Sequence, residues 1–338
     1  MRSPLLINGR QLPELVFGTS GLGNLFVSIS RQEKINIVNE CIRHSRDVTV
    51  FDSAGKYGAG LALEMLGVAL KETAADLSAV IISNKLGWYR TELKTPEPTF
   101  EPGVWKDLQH DAVQRISYNG IIECFEQGNE LLGGIIPQMV SVHDPDEYLA
   151  KAKDDRHRVR LYDDILQAYQ ALFDLKEKGL VAAVGVGAKD WRVLQQIAQD
   201  ILLDWMMVAN SLTVFTHPPE LISFIAEQDS KGVHVINSAV YHSGFLLGSD
   251  YFDYRKLDSS DPEDASYFEW RDCFNRICAE HQITPAEACL NFGLHVPGVR
   301  SVAVNTTKAA RVSENFKMTD KIIPPAFWQQ MQAAGLTI

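Results

Sequence analysis

Along almost the whole chain, short apolar runs alternate with longer stretches whose apolar positions recur at helical spacing. The runs at 15–17, 48–51, 79–83, 139–142, 182–186, 206–209, 233–237 and 301–304 predict buried strands. The stretches at 31–44, 60–71, 116–132, 162–178, 191–199, 219–228 and 266–280 predict amphipathic helices, and about 307–315 predicts one more after the last strand. Eight strand–helix units in one chain favour a closed parallel α/β barrel, the (β/α)8 or TIM barrel, over an open doubly wound sheet, which the same alternation also allows. Lys178-Gly179 and Lys231-Gly232 each place a basic residue and a glycine where a helix stops before a strand. No change in composition marks a linker, so 1–338 is expected to form a single domain.

Three connections are too long for simple turns. Residues 87–115 are rich in proline and aromatics and directly follow the third strand, which makes them the expected wall of a substrate pocket. Residues 148–161 are highly charged and read as the solvated extension of a helix. Residues 249–265 are acidic and polar.

Composition narrows the partners. At 338 residues and 46% apolar, the chain can bury a sizeable core, and 338 residues suits one large barrel. A net charge of −11 argues against a nucleic-acid partner, because phosphate binding is driven by Lys and Arg. Cys41, Cys124, Cys273, Cys278 and Cys289 are odd in number and irregularly spaced, as expected of free thiols in a reducing compartment. Met1 to Arg10 contains no signal-peptide-like apolar run. No run approaches the ~18 apolar residues of a membrane span. A cytoplasmic protein with neither membrane nor nucleic-acid partner is the expectation, and the sequence assigns no oligomeric state.

The chemistry gathers at strand ends, where a barrel of this kind collects its reactive groups. Asp52 closes the apolar run 48–51, and Tyr57 follows on the glycine-rich turn Gly55-Lys-Tyr-Gly58. Lys85 ends the third run and His143 the fourth. A free phenol has a pKa of about 10, too high for efficient proton exchange near neutrality. A nearby ammonium favours the phenolate, and Lys85 is placed to supply it. Lys85 in turn needs a carboxylate such as Asp52 if it is buried. His143 is then free to orient a substrate oxygen. Those roles suit hydride transfer to or from a carbonyl carbon, with a cofactor carrying the hydride. Each residue also has a plainer role: Asp52 as a turn cap, Tyr57 as packing, Lys85 as an exposed strand end, His143 as a core histidine. His143-Asp-Pro-Asp146 also permits a metal hydrolase. No second histidine cluster falls on the other strand ends, however, and no metal site is expected.

Gly18-Thr-Ser-Gly-Leu-Gly23, the Asp52 to Tyr57 segment, Lys85 after Ser83-Asn84, and His143 before Asp144-Pro145 together resemble the aldo-keto reductases over about 15–316. The resemblance implies the (β/α)8 barrel, a nicotinamide dinucleotide bound without a Rossmann domain, and Asp52, Tyr57, Lys85 and His143 as the catalytic tetrad. It also implies cofactor contacts from Gly18, Thr19 and Ser20 after the first strand. Asn210 would hold the carboxamide, and the loop Tyr241-His-Ser-Gly-Phe-Leu246 would hold the pyrophosphate through its backbone and Ser243, Gly244 and Leu246. Asn305, Thr306, Thr307, Arg311, Glu314 and Asn315 would form the adenosine site, where a helix N-terminus favours a phosphate or ribose edge.

Many members have Lys-Ser where this chain has Asn305-Thr306, and that lysine commonly contacts the 2′-phosphate of NADP. The departure favours NAD, while Lys308 and Arg311 keep NADP compatible. Gly185-Val-Gly-Ala188 lacks the Ser-Asn pair common after the fifth strand.

Val184-Gly-Val-Gly-Ala-Lys-Asp-Trp191, Val208-Ala-Asn210 and His242-Ser-Gly-Phe-Leu246 are most similar to the aldose 1-dehydrogenase branch, of the D-threo-aldose or L-fucose type. That branch implies oxidation of the anomeric carbon of an L-fucose- or D-arabinose-like sugar to an aldonolactone. The substrate wall would be Phe26, Trp88, Tyr89 and Trp105. The same tetrad also serves an aldehyde reductase or a pyridoxal 4-dehydrogenase. A non-catalytic cofactor-binding regulatory subunit is the alternative of another class.

Overall fold

In the computed structural model, which describes residues 5–253 and 255–337, all eight apolar runs become strands of one closed parallel barrel. They are β1 (Leu15–Gly18), β2 (Thr49–Ala54), β3 (Val80–Leu86), β4 (Met139–His143), β5 (Ala183–Ala188), β6 (Trp205–Ala209), β7 (His234–Ser238) and β8 (Val299–Val304). Each pairs with its sequence neighbours, and β8 closes onto β1 through Val302↔Leu15 and Val304↔Phe17. The open-sheet alternative is thereby excluded.

Strand side chains alternate between two faces. One set fills the barrel: Val16, Val50, Ile81, Met139, Ala183, Met207, Ile236 and the fully buried Trp205. Ile7 and Leu12, on and beside the N-terminal hairpin Leu6–Ile7/Arg10–Gln11, plug its lower end. The opposite set, including Phe51, Ile82, Val140, Val184 and Val208, packs outward onto the helices. Interior layers of branched and aromatic side chains make the barrel a packed core rather than a pore. Space for chemistry on the barrel axis therefore opens beyond the C-terminal strand ends.

Helix Arg31–His44 has the predicted bounds, and Ser30 caps it by accepting the Glu33 N–H. The helix predicted at 162–178 begins earlier, at Asp155, because Asp154 accepts the His157 N–H and starts it there. The predicted 307–315 helix is a short turn, Ala309–Arg311, followed by Val312–Thr319. Helices Pro285–His295 and Pro325–Ala333 add to the predicted set. The first of these opens with a Thr284/Glu287 capping box. The long connection 87–115 contains an antiparallel hairpin, Trp88–Glu92 with His110–Gln114. None of the described helices is long and apolar enough to cross a membrane.

Candidate active site

Strand register brings the tetrad together. Asp52 pairs with Ser83, Lys85 with Ala54 and Ser141, and His143 with Gly187. Lys85 stands two residues above Ser83, and His143 two above Ser141, so all point to the barrel axis at its upper rim. The Ser83 hydroxyl donates to Asp52 Oδ1 at 3.2 Å. Lys85 Nζ donates to Asp52 Oδ2 and, at 3.4 Å, to the Ser53 carbonyl. A Cβ at position 187 would lie 3.1 Å from Lys85 Cδ, so Gly187 leaves the lysine its path.

Tyr57 sits on the turn after β2. That turn is held against the β1 loop so closely that a Cβ on Gly58, at φ +61°, would fall 2.3 Å from the Gly23 carbonyl oxygen. Lys85 Nζ lies 4.7 Å from the centre of the Tyr57 ring. The His143 ring meets it edge-on, with centroids 5.6 Å apart and planes at 86°. All four residues line one cleft of about 400 Å³.

The electrostatics separate the tetrad into charged and neutral members. Asp52 and Lys85, each with a side chain only 3% exposed, form an ion pair. Burial pushes the His143 pKa well below 6.5, reinforced by Lys85, Lys56 and Lys189 against the opposing pull of Asp144. Its imidazole is therefore a neutral hydrogen-bonding group near neutrality, and Nδ1 has no hydrogen-bond partner among the described residues.

A stability prediction follows for His143. The unfolded chain binds a proton at this histidine below about pH 6.5, while the folded chain does not, so stability rises with pH through that window. The contribution is fully present above pH 6.5 and is lost as the pH falls towards the depressed folded value. Urea unfolding between pH 5 and 7 should show a shallower pH slope for His143→Asn than for the wild type; equal slopes would contradict the neutral assignment.

From the tetrad the cleft extends along the strand ends past Asn210, Tyr241, Ser243 and Gly244 to Asn305, Thr306, Thr307 and Arg311, with Gly18 and Ser20 on its other side. Asn210, after β6, has positive φ, and so do His242, Ser243 and Gly244, which coil the β7 loop tightly. Its shape depends on His242, whose Nε2 lies 2.7 Å from Thr213 Oγ1 and whose Nδ1 lies 2.8 Å from Asp253 Oδ1. Arg311 sits at the far end without an ion-pair partner among the described residues. A long polar arm ending in an arginine fits a dinucleotide with its phosphates.

Some expected contacts lie elsewhere. Thr19 is buried, with its hydroxyl on the Asp52 carbonyl and Ser53 Oγ, so it braces β2 instead of facing the cleft. Leu246 is fully buried with Phe245 and Phe274 under the β7 loop, and Leu247 faces the cleft in its place. Glu314 and Asn315 lie on helix Val312–Thr319, outside the cleft lining. On the substrate side, Phe26 and Trp105 line the cleft. Trp88 does not: the hairpin turns it onto Phe100, at 5.7 Å between rings. Tyr89, next along the strand, lies under Arg115 at 4.8 Å.

Sequence reading misses four charged residues of the cleft wall: Lys56, Glu101, Asp144 and Lys189. Lys56 is 3% exposed and lies 2.8 Å from carboxylate oxygens of Glu101, Asp144 and Glu147. Burial works to lower its pKa, but the three carboxylates outweigh it and raise the value far above normal. Asp146, the second acid of His143-Asp-Pro-Asp146, accepts the N–H groups of Lys189 and Asp190 and so fixes the loop after β5.

The sequence pattern of the aldo/keto reductase family matches residues 14–335. The chain belongs to that family. Among curated aldo/keto reductase relatives, it is 23% identical to a pyridoxal 4-dehydrogenase of Microbacterium luteolum over 97% of this chain and 95% of the relative. It is 26% identical to a D-threo-aldose 1-dehydrogenase of a Pseudomonas species, with the same coverage of 97% and 95%. Its fold matches the holo form of an aldo-keto reductase from Bacillus halodurans with a TM-score of 0.68 at 18% identity, over 96% of this chain and 92% of that one. As an aldo/keto reductase the protein is an oxidoreductase.

Proposed function

We propose that this aldo/keto reductase binds a nicotinamide dinucleotide along the arm from Asn210 to Arg311 and oxidises the anomeric carbon of a cyclic aldose to an aldonolactone. The observation that carries the reading is the Lys85 ammonium, held by Asp52 and 4.7 Å from the Tyr57 ring, beside a neutral His143. When bound, the nicotinamide supplies the hydride acceptor.

The protein's own residues handle the rest. Lys85 stabilises negative charge on the Tyr57 oxygen. Tyr57 then takes the proton of the anomeric hydroxyl as general base, and in the reverse direction returns it as general acid. His143 holds the same substrate oxygen by a hydrogen bond, which a neutral imidazole makes without adding charge. Phe26 and Trp105 offer apolar faces to the C–H surface of a sugar ring. The sugar assignment is supported by the similarity to the D-threo-aldose 1-dehydrogenase; the pyridoxal relative keeps pyridoxal as the second substrate to test.

A spectrophotometric panel following reduced nicotinamide, with L-fucose, D-arabinose, L-galactose and pyridoxal, each with NAD and NADP, tests the reading. Turnover of at least one sugar is expected. Turnover of pyridoxal alone would move the assignment to the second substrate.

NAD is the expected cofactor. Asn305 spends Oδ1 on the Gly21 N–H, at 3.1 Å, and offers no cation to a 2′-phosphate. Asn305→Lys should lower the KM for NADP by about tenfold through a charge-assisted contact. A wild type that already prefers NADP would contradict this placement.

A further inference from the structure

Resting on the aldose reading, we propose that Asp144, held in place by Lys56, is a specificity-determining residue that accepts a hydrogen bond from a substrate hydroxyl, selecting neutral polyhydroxylated substrates. Asp144 is 5% exposed and lines the cleft beside His143. Its backbone is in the left-handed region, at φ +50°, and its N–H donates to the Gly187 carbonyl, so its position is fixed by β4 and β5 together. Lys56 takes Oδ2 at 2.8 Å. The contacts of its side chain with Lys56 and His143 run through Oδ2, which leaves Oδ1 to the cleft. That oxygen stands at the cleft wall, where a substrate hydroxyl donates to it in place of solvent.

The cations of this region leave nothing for an anionic substrate. Lys85 is committed to Asp52, Lys56 to three carboxylates and Lys189 to Glu147. A sugar acid or sugar phosphate would bring its charge against Asp144 and Glu101 without a free counter-ion. A hydroxylated ring satisfies Asp144 and rests on Trp105, which Glu101 orients by accepting its indole N–H at 2.7 Å.

The test compares kcat/KM for a neutral aldose with that for a carbonyl compound lacking hydroxyls, benzaldehyde followed in the reductive direction, in the wild type, Asp144→Asn and Lys56→Met. Thermal unfolding and NAD titration by fluorescence accompany the kinetics. For both variants the ratio of aldose to benzaldehyde kcat/KM should fall by about tenfold or more, mainly through KM for the sugar. An equal loss on both substrates, or no change in the ratio, would overturn the proposal and leave Asp144 a structural residue. A wild type that reduces benzaldehyde but oxidises no sugar would overturn the aldose reading itself, and this inference with it.

Discussion

Tyr57→Phe is expected to lower kcat by about 10²- to 10⁴-fold, the usual contribution of a positioned general acid/base. The substitution removes one oxygen and keeps the ring, so the contact with Lys85 at 4.7 Å and the edge-on contact with His143 persist. Cofactor affinity, read by fluorescence titration, should stay within about twofold, because the cofactor arm begins at Asn210 on the far side of the cleft. A variant that oxidises the aldose at the wild-type rate would remove Tyr57 from the chemistry. One that has lost cofactor binding as well would make its role structural.

Lys85→Met is expected to have two effects that a double variant separates. It deletes the ammonium that stabilises the phenolate, so turnover should fall by about 10²-fold or more. It also leaves Asp52, with a side chain 3% exposed, as a buried carboxylate whose remaining side-chain donor is Ser83. Breaking such a pair costs about 3–5 kcal/mol, whereas replacing both members is far less damaging. Asp52→Asn/Lys85→Met should therefore recover most of the stability in urea melts while remaining inactive. If the double variant regained activity along with stability, the pair would be a fold element and the proton-transfer argument would lose its second member.

Much of this was legible in the residues themselves. Parallel barrel strands are buried on both faces, so all eight appear as largely apolar runs, and a charged residue or histidine at the end of such a run stands out. Asp52, Lys85 and His143 are visible for that reason, and Tyr57 by its place on the turn that follows. Local periodicity does not report where a loop residue points. Trp88 and Tyr89 come within four residues of Lys85, yet a hairpin with His110–Gln114 turns Trp88 into its own aromatic cluster. Leu246 lies within the coiled β7 loop, where positive φ at three consecutive residues reverses the expected alternation and leaves Leu247 on the cleft.

The cluster around Lys56 was hidden for a different reason. Its partners Glu101, Asp144 and Glu147 come from two separate connections and meet only in three dimensions. The one local signal was a lysine inside an otherwise buried turn. Helix Pro285–His295, by contrast, announces itself through its Thr284/Glu287 capping box, a signal that the hydrophobic pattern alone does not weigh.

The central claim is that hydride leaves the anomeric carbon while Tyr57 takes the hydroxyl proton. The most direct test supplies L-fucose deuterated at C1 together with NAD and follows both products by NMR. The account predicts an aldonolactone free of deuterium at C1 and deuterium on the reduced nicotinamide ring. Deuterium retained in the sugar product, or reduced nicotinamide formed without lactone, would contradict it.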